Sequence, residues 1–336
     1  TVLEYDKIKD ILKEYVISPM AEEKILEMRP YDDIDLVRKL QRETSEGVAL
    51  LKAGINLPLS GIKDIRDALS LAKVGGMLSP RQLLEIGSTM RSARLVITIW
   101  REKKLVGITI INEIIGNLHS FQSLEERIEK AIISDDEISD DASPKLSLIR
   151  RKKRILAQNI KNKLNEIISS PQYQKILQEP IVTVRQDRYV VPVKQEFKGS
   201  LPGVIHDQSS SGATLYIEPM AVVQMNNELR QLELDENREI ERILMEFSKK
   251  IQENYESLMD TLYNLAQLDF IMAKASYSLD IQGVEPNFND RGYINITRGR
   301  HPLLKGHVVP LDVFLGDKFN ILVITGPNTG GKTVAL

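Results

Sequence analysis

Cysteine is absent from this chain, which removes disulfides, thiolate nucleophiles and cysteine-based zinc sites together. A reducing, cytoplasmic setting is the expectation. Long apolar runs are missing too. The best candidate, Leu95–Trp100, is far shorter than the roughly 18 residues that a membrane-spanning helix needs, and Thr1-Val2-Leu3-Glu4-Tyr5 lacks a charged-then-apolar signal pattern. Neither charge sign dominates: 45 Lys plus Arg face 47 Asp plus Glu, a net −2. The whole-chain basicity of many nucleic-acid binders is therefore absent, which leaves a local basic surface open. Aromatic residues are only 5% of the chain, and Tyr189 and Tyr216 are read as packing residues rather than base-stacking platforms. The four histidines, His119, His206, His301 and His307, show neither metal-ligand spacing nor a nucleophile partner, so no metal centre or triad is assigned.

What is present is a 336-residue chain, 42% hydrophobic and 27% charged, enough for a packed core and two or three domains. Residues 1–142 read as helices, with apolar stripes such as Ile25, Ile34, Val37 and Leu40, and breaks at Pro30, Asn56-Leu57-Pro58 and Gly75-Gly76. Ser79-Pro80 opens a helix through Trp100, and Ser143-Pro144 opens a longer one towards Ser169. The stripe Ile149, Leu156, Ile160, Leu164, Ile167 suits a seam against another helix. Pro171 and Pro180 end this helical signal.

Between Pro180 and Pro219 the pattern becomes β: Ile181–Val184, Tyr189–Val193 and Ala213–Ile217 read as strands, with turns at Gly199–Gly203 and Ser209–Gly212. The helical period then returns from Met220 to about Leu279, and a helix, a β insert and a helix running back make two antiparallel arms with a β tip. From Pro144 to Glu179 nine basic residues face two acidic ones, whereas from Pro219 to Leu279 six face eleven. The favoured reading of this asymmetry is pairing between the arms, with Arg150–Arg154 as a nucleic-acid patch the alternative. In the tip, Arg185, Arg188, Lys194 and Lys198 are candidates for phosphate contacts. The last three are an even number apart and share a face if their strand continues.

After a linker at Gly283–Asp290, a strand is expected at Tyr293–Ile296 and a buried parallel strand at Phe319–Ile324. The latter leads into Gly326-Pro327-Asn328-Thr329-Gly330-Gly331-Lys332-Thr333, which matches the phosphate-loop pattern. The pattern arises by chance in about 1% of chains this long, and a strand before it is the required context. The glycines let backbone N–H groups cradle phosphates, Lys332 reaches the β- and γ-phosphates, and the Thr333 hydroxyl ligates Mg²⁺ beside ATP. A second acidic strand and a water-orienting group needed for hydrolysis are expected beyond Leu336, so no catalytic residue is assigned within the chain and it is expected to lack ATP turnover alone. From the missing initiator Met and the end at Leu336, three residues after the loop, the chain is expected to be a portion of a longer one.

Thr325–Thr333 resembles the nucleotide loop of the MutS superfamily of DNA-repair ATPases, and Gly299-Arg300-His301-Pro302-Leu303-Leu304 resembles the lead-in to that domain. Arg188–Lys194 and Gly203–Pro219 narrow the resemblance to the second bacterial branch, MutS-two, with weaker echoes at Gly61-Ile62, Asp64-Ile65 and Gly75-Gly76. The resemblance implies a mainly α fold: a helical lever core (1–142), an ascending arm (143–180), a β-rich clamp insert (181–218), a descending arm (219–281) and the truncated start of an α/β P-loop ATPase domain (282–336). It also implies a homodimeric ATPase acting on branched DNA or on stalled ribosomes and their RNA, with endonuclease activity only in the intact parent. His301-Pro302 and His307-Val308 would flank adenine by the same analogy. No Phe is followed two residues later by Glu, so the mismatch-reading wedge of other superfamily members is not expected. A coiled-coil chromosome-organising ATPase would carry its phosphate loop before the arms rather than after them, and a transporter ATPase would lack the arms. A non-enzymatic helical interaction module remains the other rival.

Overall fold

The computed structural model of the chain describes residues 4–103, 106–304 and 306–325, so the phosphate loop from Gly326 to Thr333 lies outside the described residues. Seven helices come first: α1 (Tyr5–Lys13), α2 (Pro19–Glu27), α3 (Ile34–Lys52), α4 (Arg66–Lys73), α5 (Pro80–Glu102), α6 (Ile110–Gly116) and α7 (Gln122–Ala131). Then follow α8 (Pro144–Ser169), the single turn α9 (Pro171–Gln174) and strands β1 (Thr183–Arg185), β2 (Arg188–Lys194), β3 (Gly203–Gln208) and β4 (Thr214–Pro219). Helices α10 (Met220–Glu253) and α11 (Tyr255–Asp280) and strands β5 (Ile294–Gly299) and β6 (Leu311–Leu315) complete the order. The fold is thus mainly helical with small antiparallel sheets.

Several helix starts share one local device. Ser18, Ser79 and Ser143 each precede a proline, whose fixed φ and missing N–H suit a first turn. Their hydroxyls accept from Ala21 N (3.2 Å), Gln82 N (3.3 Å) and Leu146 N (3.0 Å). Gln82 Oε1 accepts in return from Ser79 N at 2.9 Å, closing a capping box.

The chain divides into two compact units, one of Thr1–Leu69, Glu85–Glu125 and Asn254–Leu336, the other of Ser70–Leu84 and Glu126–Glu253. In the first, α3 packs on α11 so closely that a Cβ on Gly47 would lie 2.9 Å from Ala275 Cβ. Buried carboxylates in this unit serve as helix caps from a distance. Glu46 on α3 accepts from Thr109 N, Ile110 N and Ile111 N at the start of α6, at 2.8–3.1 Å. Asp269 on α11 accepts from Ser18 N and Ser18 Oγ, both at 2.7 Å. These acids have structural work to do, and no group of three or more metal-binding side chains occurs among the described residues.

In the second unit α8 and α10 lie antiparallel. Lys145 Nζ and Ser143 Oγ reach Glu239, and Arg150 Nε and Lys153 Nζ reach Glu236 at 2.7 and 2.8 Å. Further along α8, Ile160 and Leu164 share a buried cluster with Val222 and Leu229 near the start of α10. The pairing of a basic with an acidic helix, expected from the charge count, is therefore present at these residues.

Four expectations are corrected. Pro171 ends α8 but also opens α9, because it occupies the first helical turn, where its missing N–H costs nothing. β3 forms at Gly203–Gln208, where only turns flanking it were expected. The helical run from Met220 is not one rod. Asn254, at φ −109° and ψ 14°, leaves the helix between α10 and α11, and the two helices belong to different units. Finally, 319–324 forms no strand among the described residues, because a ladder needs a hydrogen-bonding neighbour and β5 pairs instead with β6. Ile321 and Val323 are about three-quarters exposed.

Candidate nucleic-acid interface

The tip is a four-stranded antiparallel sheet in the order β1-β2-β4-β3. Alternation divides its sides. Val191 and Val193 of β2, with Leu215 and Ile217 of β4, point into the cluster that also holds Ile160, Leu164 and Val222 of the helices. Arg188, Val190, Pro192 and Lys194 occupy the other face of β2, and Thr214 and Tyr216 are the cross-strand neighbours of Lys194 and Pro192. β1 and β2 join through Gln186 and Asp187, both at positive φ (49° and 60°), which matches the hairpin twist but strains residues other than glycine.

The four cations expected at this surface have different fates. Arg188 lies partly inside: its Nη1 donates to both oxygens of the buried Glu218 (2.9 and 3.1 Å) and its Nη2 to Asn227 Oδ1 (2.8 Å). Arg185 lies 4.2 Å above the Tyr216 ring centroid and 3.5 Å from Asp207, so Tyr216 serves as a platform for a guanidinium. Lys194 donates to the Lys175 carbonyl at 3.2 Å and meets no carboxylate among the described residues. Lys198 is exposed, but β2 ends at Lys194 and a 3-10 turn over Gln195–Phe197 follows, so Lys198 does not share the strand face with Arg188 and Lys194.

Sequence reasoning missed the centre of this arrangement. Glu218, 1% exposed, also accepts from Asn226 Nδ2 (2.6 Å) and lies 2.6 Å from His206 Nε2. Asn226 in turn holds the β2 backbone, accepting from Tyr189 N (3.3 Å) and donating to Tyr189 O (3.1 Å). His206 sits at a register shift between Ile205 and Asp207, and such a bulge re-aims the inserted side chain. The one available signal was the alternation that set Glu218 opposite to Ile217 on β4.

Among the basic residues of α8, Lys145, Arg150, Lys153 and Arg154 are engaged by Glu239, Glu236 and Asp140. The Glu236 carboxyl is pushed up by burial, but hydrogen bonds from Lys153 and Arg150 outweigh this and hold it below its ordinary value. Of the residues expected near a nucleotide base, His301, Pro302 and Val308 line a cavity of about 960 Å³ together with Phe288 and Tyr293. Gly326, Pro327, Asn328, Thr329, Gly330, Gly331, Lys332 and Thr333 lie outside the described residues.

No family model matches the chain. Curated relatives do. The chain is 49% identical over 337 residues to the endonuclease MutS2 of Alkaliphilus metalliredigens, 48% over 337 to that of Alkaliphilus oremlandii, and 46% over 338 to that of Acetivibrio thermocellus. Each alignment covers 100% of this chain and 43% of the relative, so the chain spans less than half the length of the curated relatives it matches. No helix among the described residues is long and apolar enough to cross a membrane.

Proposed function

The chain belongs to the MutS2 group of the MutS family, at 46–49% identity along its whole length, and from that membership we propose that it supplies the nucleotide-gated clamp of a cytoplasmic, nucleic-acid-processing ATPase. The observation that carries the reading is the sheet-tipped antiparallel pair: a β tip closed onto α8 and α10, with the phosphate-loop sequence later in the same chain. The ligand at the tip is branched DNA. ATP binds at Gly326–Thr333, where the glycine N–H groups cradle phosphate, Lys332 neutralises the β- and γ-phosphates, and Thr333 presents its hydroxyl to Mg²⁺. ATP supplies the binding energy that distinguishes an open from a closed clamp. The lever and arm division of residues 1–281, homodimerisation and endonuclease activity belong to the same reading of the intact protein.

The test is equilibrium binding of a fluorescent ATP analogue and of a labelled four-way DNA junction to the intact protein. Lys332→Ala removes a charge-assisted phosphate contact and is expected to weaken nucleotide binding at least tenfold. It should also abolish the nucleotide dependence of junction affinity while leaving affinity without nucleotide unchanged. Undiminished nucleotide binding by the variant would sink the assignment of the loop. Absence of any nucleotide affinity in the parent would favour a helical interaction module.

A further inference from the structure

Arg185 and Tyr216 meet on the outer face of the tip sheet, and their contact crosses a strand. Arg185 leaves β1, passes over β2 and sets its Cζ 4.2 Å over the ring of Tyr216 on β4. The β2 residue opposite Tyr216 is Pro192, which is buried. Two of the three guanidinium nitrogens face protein oxygens. Nη1 donates to the Val184 carbonyl (2.9 Å) and to Thr183 Oγ1 (3.3 Å), and Nε lies 3.5 Å from Asp207 Oδ2. Asp207 is held in turn, its other oxygen accepting from Gln208 N at 2.8 Å.

These contacts limit what Arg185 can do. An arginine recognises phosphate through the donors along its edge. Here those donors are largely turned to protein acceptors, and the Asp207 carboxylate beside them repels an anion. The faces of the guanidinium are a different resource. One rests on Tyr216, and 37% of the side chain stays exposed. A delocalised plane fixed on an aromatic ring is a stacking surface, and nucleobases stack on guanidinium planes as they do on aromatic rings. Tyr189 offers no such plane, because the cation near it is the Lys161 ammonium, a point charge 5.8 Å from the ring centroid.

We propose that Arg185, seated on Tyr216, is a stacking platform for an unpaired nucleobase, so that the tip selects nucleic acid with unpaired nucleotides over uninterrupted duplex. The inference rests on the reading of the tip as a DNA clamp and narrows its ligand. Inside a duplex both faces of a base are covered by its neighbours, so only an unpaired base has a face to give. Lys194 shares this face of β2. It stands two residues beyond Pro192, about 7 Å along the strand, and takes the adjoining phosphate. Stacking tolerates every base, so the platform reads structure and not sequence.

The test uses the intact protein and two labelled four-way DNA junctions, one fully paired and one carrying an unpaired 2-aminopurine nucleotide at the crossing. Fluorescence of 2-aminopurine falls when the base stacks. The parent is expected to bind the unpaired probe about tenfold more tightly than the paired one and to quench it. Arg185→Lys keeps the charge and removes the plane, so the preference should fall to about one and the quenching should vanish. Tyr216→Leu, which removes the seat, should do the same, whereas Tyr216→Phe keeps the ring and should keep both signals. Melting curves check the fold of each variant. Equal affinity of the parent for the two junctions without quenching, or a preference that survives Arg185→Lys, would overturn the platform and leave the DNA clamp standing. Binding of neither junction would sink the clamp reading and the platform with it.

Discussion

Glu218 is the residue on which the tip depends. A carboxylate that is 1% exposed survives in a sheet only because Arg188, His206 and Asn226 converge on it. Glu218→Ala leaves an Arg and an Asn without their partner, and loss of one member of a buried ion pair costs about 3 kcal/mol. Thermal unfolding should show this loss, and Glu218→Gln, which keeps acceptor capacity towards Arg188, should fall between it and the parent. Glu239 offers a test of sign rather than size. Hydrogen bonding from Arg242, opposed by burial and helped by Ser143 and Lys145, lowers its carboxyl from 4.5 to about 2. A carboxyl depressed in the fold stabilises above its unfolded value and ceases to do so as pH falls through the folded one. The stability gap between the parent and Glu239→Gln should therefore be constant above about pH 5 and close between 4.5 and 2, as melting temperatures measured across that range would reveal.

At the scale of elements, close helix packing reverses an ordinary expectation. Alanine in place of a helical glycine normally stabilises by about 1 kcal/mol. At Gly47 the new Cβ would stand 2.9 Å from Ala275 Cβ and 3.1 Å from Ile271 Cγ2, and overpacking of this kind costs about 1–3 kcal/mol. Gly47→Ala should thus lower the denaturant midpoint; a higher midpoint would mean that α3 and α11 part without penalty. The same contrast between local and distant causes explains what could be read from sequence. Helix starts at Pro80 and Pro144 were legible because Ser-Pro carries its own cap and φ. β3 was not, because five of its six residues are exposed and its ladder depends on β4, eleven residues on. The break at Asn254 was hidden as well: Ile251 and Leu258 keep a seven-residue spacing across it, and no glycine or proline marks it. Charge revealed Arg185, Arg188, Lys194 and Lys198, but not that Glu218 holds Arg188, since a strand carboxylate reads like any surface acid until its partners are placed.

For the whole molecule, a net charge of −2 conceals a basic helix and an acidic one that neutralise each other at Glu236 and Glu239. This separates cations by what they are free to do. Arg150 donates to Glu236, to Asp140 and to the Ile138 carbonyl, so using it on a phosphate means giving up three hydrogen bonds. Among the described residues Lys194 meets only a carbonyl, and Lys198 is exposed beyond the strand end. A lysine that touches phosphate releases about one counterion on binding, so its removal lowers the slope of log affinity against log salt by about one. For the DNA clamp proposed above, Lys194→Ala and Lys198→Ala should each reduce that slope by about one, and together by about two, without changing the melting temperature. Arg150→Ala should do the reverse: the slope stays and the protein melts earlier, because Glu236 loses one of its two partners. Titrations of a labelled junction at several salt concentrations, with a melting curve for each variant, test both halves. A slope that fell only with Arg150→Ala would move the interface from the tip to the arm.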